Sequence, residues 1–461
     1  MNEKAIKYLK TLNGKNIALI GLGRSHLPLI SLFSKYGANI IVCDKRSKEE
    51  LNDTLSKIDT NNVSYSLGEN YLDDLECDIA FRTPGMKYYS EELNRLRDKN
   101  VEITSEMEMF FKLCNCKIIA VTGSDGKTTT TTIISKFLED QGYNVYLGGN
   151  IGKPLLPIIE NIKDTDIACV ELSSFQLISM NMSPDIAVVT NLQENHLDIH
   201  KDMDEYINSK KNIVLYQNEN NKAILNRDND ITYSFKNDTK ANIVLFSKNE
   251  KVNNGCYLSD NCIYYSDNGN DTEIININEI KIPGMHNVEN FMTAICAVYG
   301  LVDIGKIRKV AKDFSGVEHR AEFVREIDGV RYYNDSIASS PTRTILGTLS
   351  LYNKKIILIC GGYDKHLDYS SLGDYINKKV KVLILMGDTA KKIEEATLNS
   401  KNYSEDLEIY HAKDMNEAVK TAKSHSNSGD IVSLSPASAS FDLYKDFEQR
   451  GNHFKEIVNS L

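Results

Sequence analysis

Short apolar runs rich in β-branched residues alternate along this chain with longer stretches in which apolar positions recur every three or four residues. That alternation predicts parallel sheets assembled from strand–helix–strand units. In the first third the strand-like runs are NIALIG (16–21), NIIVCD (39–44), DIAFR (78–82) and VEITS (101–105). A second region carries KIIAVTG (117–123), NVYLGG (144–149), DIACVELS (166–173), IAVVTN (186–191) and KAILN (222–226). From about 228 to 282 the sequence turns Asn- and Asp-rich, and CYLSDNCIYYS reads there as a hairpin. A structureless loop of that length does not suit a compact domain, so the piece is assigned to an antiparallel edge of the middle domain. GMHNVENFMTAICAVYGL (284–301) has helical spacing, and a third alternating set follows: VRYYND, KIILICGG, VKVLILMG, DLEIYHA and DIVSLSP. Boundaries near 105 and 316 divide the chain into 1–104, 105–315 and 316–461, in keeping with its 461 residues at ~150 per domain.

Composition narrows the class. Apolar residues at 41% and charged residues at 26% are ordinary for a soluble globular protein. The net charge of −10 disfavours nucleic acid, whose general binders carry a basic face. No apolar stretch approaches the ~20 residues that span a bilayer, and MNEKAIKYLKTLNGKN lacks the apolar core of a signal peptide. The nine cysteines are an odd number for a disulfide framework. Most of them, including Cys43, Cys169, Cys296 and Cys360, sit in apolar runs and read as buried thiols of a cytoplasmic protein.

Candidate chemistry begins at AVTGSDGKTTTTTIISKF (120–137). Against the pattern G-x-x-x-x-G-K-[ST], Gly126, Lys127 and Thr128 match, but Val121 stands at the first glycine position, with Gly123 the nearest glycine. The physics is unaffected. Backbone N–H groups of the turn from Gly123 through Ser124, Asp125 and Gly126 to Thr129 face a phosphate at a helix N-terminus. Lys127 reaches the terminal phosphates, and Thr128 can hold Mg²⁺. An ATP site is the expectation. Earlier, GLGRSH (21–26) follows a strand and opens a helix, and Asp44 ends the next strand, as in a dinucleotide fold. His26 stands at the third glycine position, so a tight turn without function is the competing reading. If the loop binds anything, a nucleotide diphosphate suits it, with Asp44, Lys45 and Arg46 near base or ribose. Glu171 closes the strand DIACV, and His196 and Asp198 follow IAVVTN, at the strand ends where ligands of α/β sheets collect.

GSDGKTTT, GGNIG (148–152), ELSSFQL (171–177), NHLD (195–198), GMHNVEN (284–290), EHR (318–320), NDSIASSP (334–341), GGYDK (361–365) and SPASASFDLYKDFEQRG (435–451) fall in the order found in the Mur ligases. The chain resembles that family over nearly its whole length, and its last segment resembles the members that add D-glutamate. The resemblance implies a Rossmann-like N-terminal domain for a UDP-sugar, a central phosphate-loop ATPase-type domain, and a Rossmann-like C-terminal domain for an amino acid. It implies ATP, two Mg²⁺ ions, UDP-N-acetylmuramoyl-L-alanine and D-glutamate, and a monomer. The family reaction passes through an acyl phosphate.

Carried over by position, Lys127 and Thr128 handle phosphates and the first metal with Glu171. His196 serves the second metal, completed by a carbamylated lysine that YINSK (206–210) places at Lys210. From the residues alone, either Lys210 or its neighbour Lys211 reads as an exposed helix charge. The resemblance also implies adenine and ribose contacts from Asn287 and Asn290, and reach to ATP by Arg320 and Asp335, with domain closure. Asn150 falls near the acceptor carboxyl group, with Arg24, Ser25 and Gly85 at the UDP-sugar. Ser339, Lys365, Ser440 and Phe447 fall at D-glutamate, although Ser440 also reads as a helix N-cap before FDLYKDF. The chain departs from the family at Asn195, often Asp, at Ile337, usually Lys, and at Arg24, Ser25 and His26 in the first glycine loop. Alternatives left by the residues are a sister ligase, folylpolyglutamate synthetase, a nucleotide-hydrolysing switch and a nicotinamide dehydrogenase.

Overall fold

The computed structural model describes residues 1–58, 62–193 and 200–461, which fall into two compact units. The first comprises Met1–Glu279 and Val288–Ala311, the second Ile280–Asn287 and Lys312–Leu461.

Two sheets build the first unit. Strands β1 (Asn16–Ile20), β2 (Asn39–Asp44), β3 (Val63–Leu67), β4 (Ile79–Arg82) and β5 (Glu102–Thr104) form an all-parallel sheet in the order β3-β2-β1-β4-β5. The second sheet contains β6 (Lys117–Thr122), β7 (Val145–Gly149), β8 (Ile167–Glu171), β9 (Ile186–Val189), β10 (Lys222–Asn226), β11 (Asn242–Ser247), β12 (Asn254–Ser259), β13 (Cys262–Asp267) and β14 (Asn270–Asn276). Its order is β14-β13-β12-β11-β10-β9-β6-β8-β7. Only the β12–β13–β14 edge is antiparallel, turning at Asp260 and Asn261, whose positive φ values of 48° and 59° suit a tight hairpin. β6, β8 and β9 are buried apart from Lys117, as the central strands of a covered parallel sheet must be.

One apolar core serves both sheets, running from Leu9, Ile17, Phe33 and Phe81 through Met107, Phe110 and Leu156 to Val170, Val189 and Leu225. At roughly 1.5–3 kcal/mol for each large apolar side chain buried, this continuity binds the two sheets far more firmly than their polar links. Those links include Asn2 Nδ2 donating to the Leu113 carbonyl at 3.0 Å and the Lys35–Glu160 ion pair at 2.8 Å.

The second unit holds β15 (Glu322–Ile327), β16 (Val330–Asn334), β17 (Ile356–Cys360), β18 (Val380–Leu385), β19 (Glu408–His411) and β20 (Ile431–Leu434) in the order β15-β16-β20-β17-β18-β19. β15 pairs antiparallel with β16 and all other pairs are parallel. Each sheet reverses its strand order, and in open α/β sheets such reversals leave a crevice at the carboxyl ends. The reversals bring together the ends of β1 and β4, of β6 and β8, and of β16, β20 and β17.

Candidate active site

The loop after β6 reaches the helix Lys127–Gln141 through two glycines with left-handed φ, Gly123 at 149° and Gly126 at 77°. A Cβ on Gly123 would collide with Thr190 Oγ1, and one on Gly126 with Asn290 Oδ1, so both positions demand glycine. Asp125 N donates to Asn191 Oδ1 at 3.0 Å, and Thr190 Oγ1 donates to the Asp125 carbonyl at 2.6 Å. Thr130 Oγ1 bonds Asn290 Oδ1 at 3.2 Å. The turn is therefore held from outside, with the Ser124 amide donating to the Asn191 carbonyl at 2.7 Å, so an anion there would be met by the first turn of the helix. Lys127 Nζ donates to the carbonyls of Gly123 at 2.9 Å and Ser124 at 2.7 Å.

Glu171, at the end of β8, is 1% exposed and lies across this crevice. Its Oε2 accepts from Thr128 Oγ1 at 2.6 Å and its Oε1 from Asn150 Nδ2 at 2.7 Å. A hydroxyl and a carboxylate converging beside a phosphate loop are hard oxygen donors of the kind Mg²⁺ takes. Among the described residues no three His, Cys, Asp or Glu side chains gather as a metal cage. His196, Asp198 and Asn195 lie outside the described residues.

Lys210, on the helix Met203–Leu215, is buried, unlike the solvated helix charge that the residues alone suggest. Its Nζ donates to the Gly123 carbonyl at 2.9 Å and Thr122 Oγ1 at 3.3 Å, and stands 4.9 Å from the Tyr206 ring centre. Burial, with Lys127 nearby, holds its amine well below the usual lysine range, against the pull of Glu171 and Asp125. Lys211 instead pairs with Asp238 at 3.1 Å. Tyr206 completes the corner, its hydroxyl 2.9 Å from Ser124 Oγ.

The first glycine loop faces the same unit's other crevice. A cavity of about 210 Å³ is lined by Arg24, Ser25, His26, Arg82, Asn150 and Gln176, among others. His26 fills the space a third glycine would leave: it is 1% exposed, its Nδ1 lies 2.9 Å from the Gly21 carbonyl, and burial lowers its pKa to about 4. Asp44 accepts from the Leu22 amide at 2.8 Å and pairs with Arg46 at 2.8 Å. Burial opposes its ionisation, but the bonds from Arg46 and Leu22 outweigh it and hold the carboxyl at about 2. Lys45 is exposed beside them, and Gly85 lines a second cavity of about 220 Å³.

On the helix Met285–Val298, Asn287 donates to the Pro283 carbonyl at 2.6 Å, three residues before Asn290. In the second unit, Asp335 follows β16 and is 2% exposed, accepting from Thr348 Oγ1 at 2.7 Å, Ser435 Oγ at 2.9 Å and the Ala321 amide at 3.2 Å. Burial outweighs these bonds and raises its carboxyl to about 6, with the Arg320 charge among the forces lowering it. Ser339 is half-buried after β16, Ser440 buried after β20, and Lys365 exposed after β17, 5.9 Å from the Phe441 ring centre. Ser440 is not an N-cap. Residues 441–446 form turns and the helix Phe447–Ser460 is capped by Asp446, whose Oδ1 accepts from Gln449 N at 2.7 Å. Phe447 packs edge-on to His319 at 5.9 Å.

Arg450 is the side chain that sequence reasoning left without a role. Buried at 2%, it donates to Ser336 Oγ at 3.0 Å and to the carbonyls of Ser336, Ala439 and Ser438 at 2.9, 2.8 and 3.1 Å. It thereby ties the loop after β16 to the loop after β20. The signal was present, since an arginine on an otherwise apolar helix face is rarely buried without partners. Thr190, which fixes the phosphate loop, carries no such signal.

The fold and the first unit's loop define an α/β protein with a glycine turn at a helix N-terminus facing a buried carboxylate. Two family descriptions match the chain, "Mur ligase middle domain" over residues 121–298 and "Mur ligase, glutamate ligase domain" over 319–438. A protein of Acetivibrio thermocellus named UDP-N-acetylmuramoylalanine--D-glutamate ligase is 52% identical over 100% of both chains. One of the same name from Clostridium acetobutylicum is 50% identical over 99% of this chain and 98% of its own. Among solved structures, UDP-N-acetylmuramate-alanine ligase of Thermotoga maritima covers 97% of this chain and 99% of its own, with a TM-score of 0.57 at 17% identity. MurF of Acinetobacter baumannii covers 97% of this chain and 92% of its own, with a TM-score of 0.58 at 15% identity. These two establish the fold alone. The chain belongs to the Mur ligase family.

Proposed function

We infer that this chain is an ATP-dependent ligase of peptidoglycan precursor synthesis, joining D-glutamate to UDP-N-acetylmuramoyl-L-alanine with release of ADP and phosphate. The observation that carries the reading is full-length identity of about half to ligases of that name, together with the geometry around residues 123–128. Residues 1–104 take the UDP-sugar, 105–315 ATP and 316–461 the amino acid.

The phosphate loop amides and Lys127 hold the triphosphate. Lys127 must exchange its carbonyl partners for phosphate oxygens, a favourable trade because the ammonium then faces a full negative charge in place of a carbonyl dipole. Thr128 and Glu171 would hold Mg²⁺, which would supply neutralising charge beside the phosphates; the γ-phosphoryl moves to the substrate carboxylate and ADP leaves. The amine of D-glutamate then attacks the acyl phosphate, an amide forms, and phosphate leaves. Charge gathers in both steps, so positioning and electrostatics do most of the work. A second Mg²⁺ falls to His196 and a carbamylated Lys210. A lysine held neutral by burial has the free electron pair that CO₂ needs. Asn287, Asn290, Arg320 and Asp335 are assigned to ATP. Ser339, Lys365, Ser440 and Phe447 are assigned to D-glutamate, with Ile337 supplying no charge. Asn150 faces the acceptor. Among the described residues no helix is long and apolar enough to cross a membrane. The enzyme works in the cytoplasm as a monomer, on small molecules and not nucleic acid.

Amino-acid-dependent phosphate release from ATP, with UDP-N-acetylmuramoyl-L-alanine present, tests the reading. D-glutamate should exceed L-glutamate and L-lysine by orders of magnitude; equal rates would remove the assignment.

A further inference from the structure

β4 ends in Arg82, a side chain only 1% exposed. Its Nη2 donates to the Phe175 carbonyl at 2.9 Å and to Ser179 Oγ at 2.6 Å, fixing the guanidinium between the first sheet and the turn after β8. Its Nε and Nη1 are buried without a hydrogen-bond partner, and its guanidinium carbon stands 5.2 Å from the Tyr88 ring centre. The carboxyl of half-buried Glu108, which also interacts with Ser105 and Ser179, acts on it electrostatically, yet its Oε2 is without a hydrogen-bond partner. A guanidinium stripped of water and left with unused donors is costly unless an anion arrives.

The cavities point to that anion. Arg82 lines both of them, the one of about 210 Å³ that carries Arg24 and Asn150 and the one of about 220 Å³ walled by Tyr88 and Phe175. Lys87 and Lys201 also line the latter against one carboxylate, Glu205, so its charged lining is net basic in a chain whose net charge is −10. At its position on β4, Arg82 sits where the first sheet reverses its strand order, beside the glycine loop.

We propose that Arg82 is a further substrate-binding residue, its unpartnered donors taking an anionic oxygen of the UDP-sugar. The proposal rests on the UDP-sugar reading above. The oxygen belongs either to the pyrophosphate or to the terminal carboxylate, and both offer the acceptors that the protein leaves out.

Binding of UDP-N-acetylglucosamine and of UDP-N-acetylmuramoyl-L-alanine is measured by calorimetry on wild type, R82M and R82K, with KM for each substrate. R82M should raise KM for the UDP-sugar at least tenfold while KM for ATP and D-glutamate stays put, with R82K in between. Equal weakening of both ligands assigns the pyrophosphate, and weakening of the muramoyl ligand alone assigns the carboxylate. Unchanged binding of both by R82M overturns the proposal. Should R82M not fold, E108Q decides, because it leaves Arg82 in place and removes the competing carboxyl. Tighter UDP-sugar binding by several-fold supports the anion site, and unchanged or weaker binding, as for a structural pair, overturns it. D-glutamate-dependent phosphate release by wild type is unaffected by these outcomes, so the ligase reading stands or falls separately.

Discussion

In Lys210, burial and chemistry oppose each other. Its amine is enclosed at 2% exposure, with a carbonyl and a hydroxyl as partners and the Lys127 charge nearby. Its folded pKa is depressed while an unfolded lysine titrates near ~10.4, so between the two the unfolded chain binds the extra proton. Stability therefore rises with pH through that window. K210M should raise the melting temperature at neutral pH, with the gain vanishing as pH approaches ~10.4. A gain that persists at high pH would mean the amine is not under this strain. K210A should lower turnover about 10²–10³-fold, with partial rescue by short carboxylic acids, which supply the oxygen donors of a carbamate. Asp335 has the opposite sign. Its carboxyl is raised to about 6, above the unfolded ~3.9, so its contribution is intact below pH ~4 and is lost as pH rises through 6. Two units at 1.36 kcal/mol each make about 3 kcal/mol. Urea unfolding of wild type and D335N between pH 4 and 7 should diverge by that order, D335N becoming relatively more stable as pH rises.

Among the elements, the turn between β6 and its helix has the least tolerance. G126A needs a left-handed alanine, at about 1–2 kcal/mol, and drives a methyl into Asn290. It should lower the melting temperature and raise KM for ATP more than tenfold; an unchanged KM would separate this turn from nucleotide binding. That turn was legible because glycine spacing, strand and helix are all local. So were the buried strands β1, β2, β4, β6, β8–β10, β16–β18 and β20, whose apolar runs leave little choice. β3 was not: VSYSL sits on a sheet edge, none of it fully buried, so its pattern is half polar. β11 was hidden for another reason. NIVLFS is short and apolar but embedded among Asn and Asp, and only its parallel pairing with β10 marks it as a strand. Ser440 shows the limit for side chains. A serine before FDLYKDF satisfies the local rule for a cap, yet the Leu443 and Tyr444 amides close a turn on the Ser440 carbonyl and the helix starts only at Phe447, capped by Asp446.

Within each sheet, the strand-order reversal explains why candidate site residues distant in sequence gather at the ends of neighbouring strands. The helix after β6 and the end of β8 supply Lys127, Thr128 and Glu171, the loop after β1 and the end of β4 supply Arg24 and Arg82, and the loops after β16, β20 and β17 supply Asp335, Ser440 and Lys365. The pairings were not readable in sequence, because crossovers of dozens of residues separate strands that lie side by side. The proposed reaction activates a carboxylate in place of hydrolysing a nucleotide, and the two fates differ in where one oxygen atom goes. If the substrate carboxylate attacks the γ-phosphorus, the bridging oxygen leaves with phosphate when the amine displaces it. UDP-N-acetylmuramoyl-L-alanine labelled with oxygen-18 in both carboxylate oxygens should then give phosphate carrying one labelled atom, and an amide carrying the other. Water attack on ATP, as in a switch or regulator, would put solvent oxygen into the phosphate and none from the substrate. Mass spectrometry of phosphate from one turnover distinguishes them, and unlabelled phosphate alongside amide product would exclude the acyl-phosphate route.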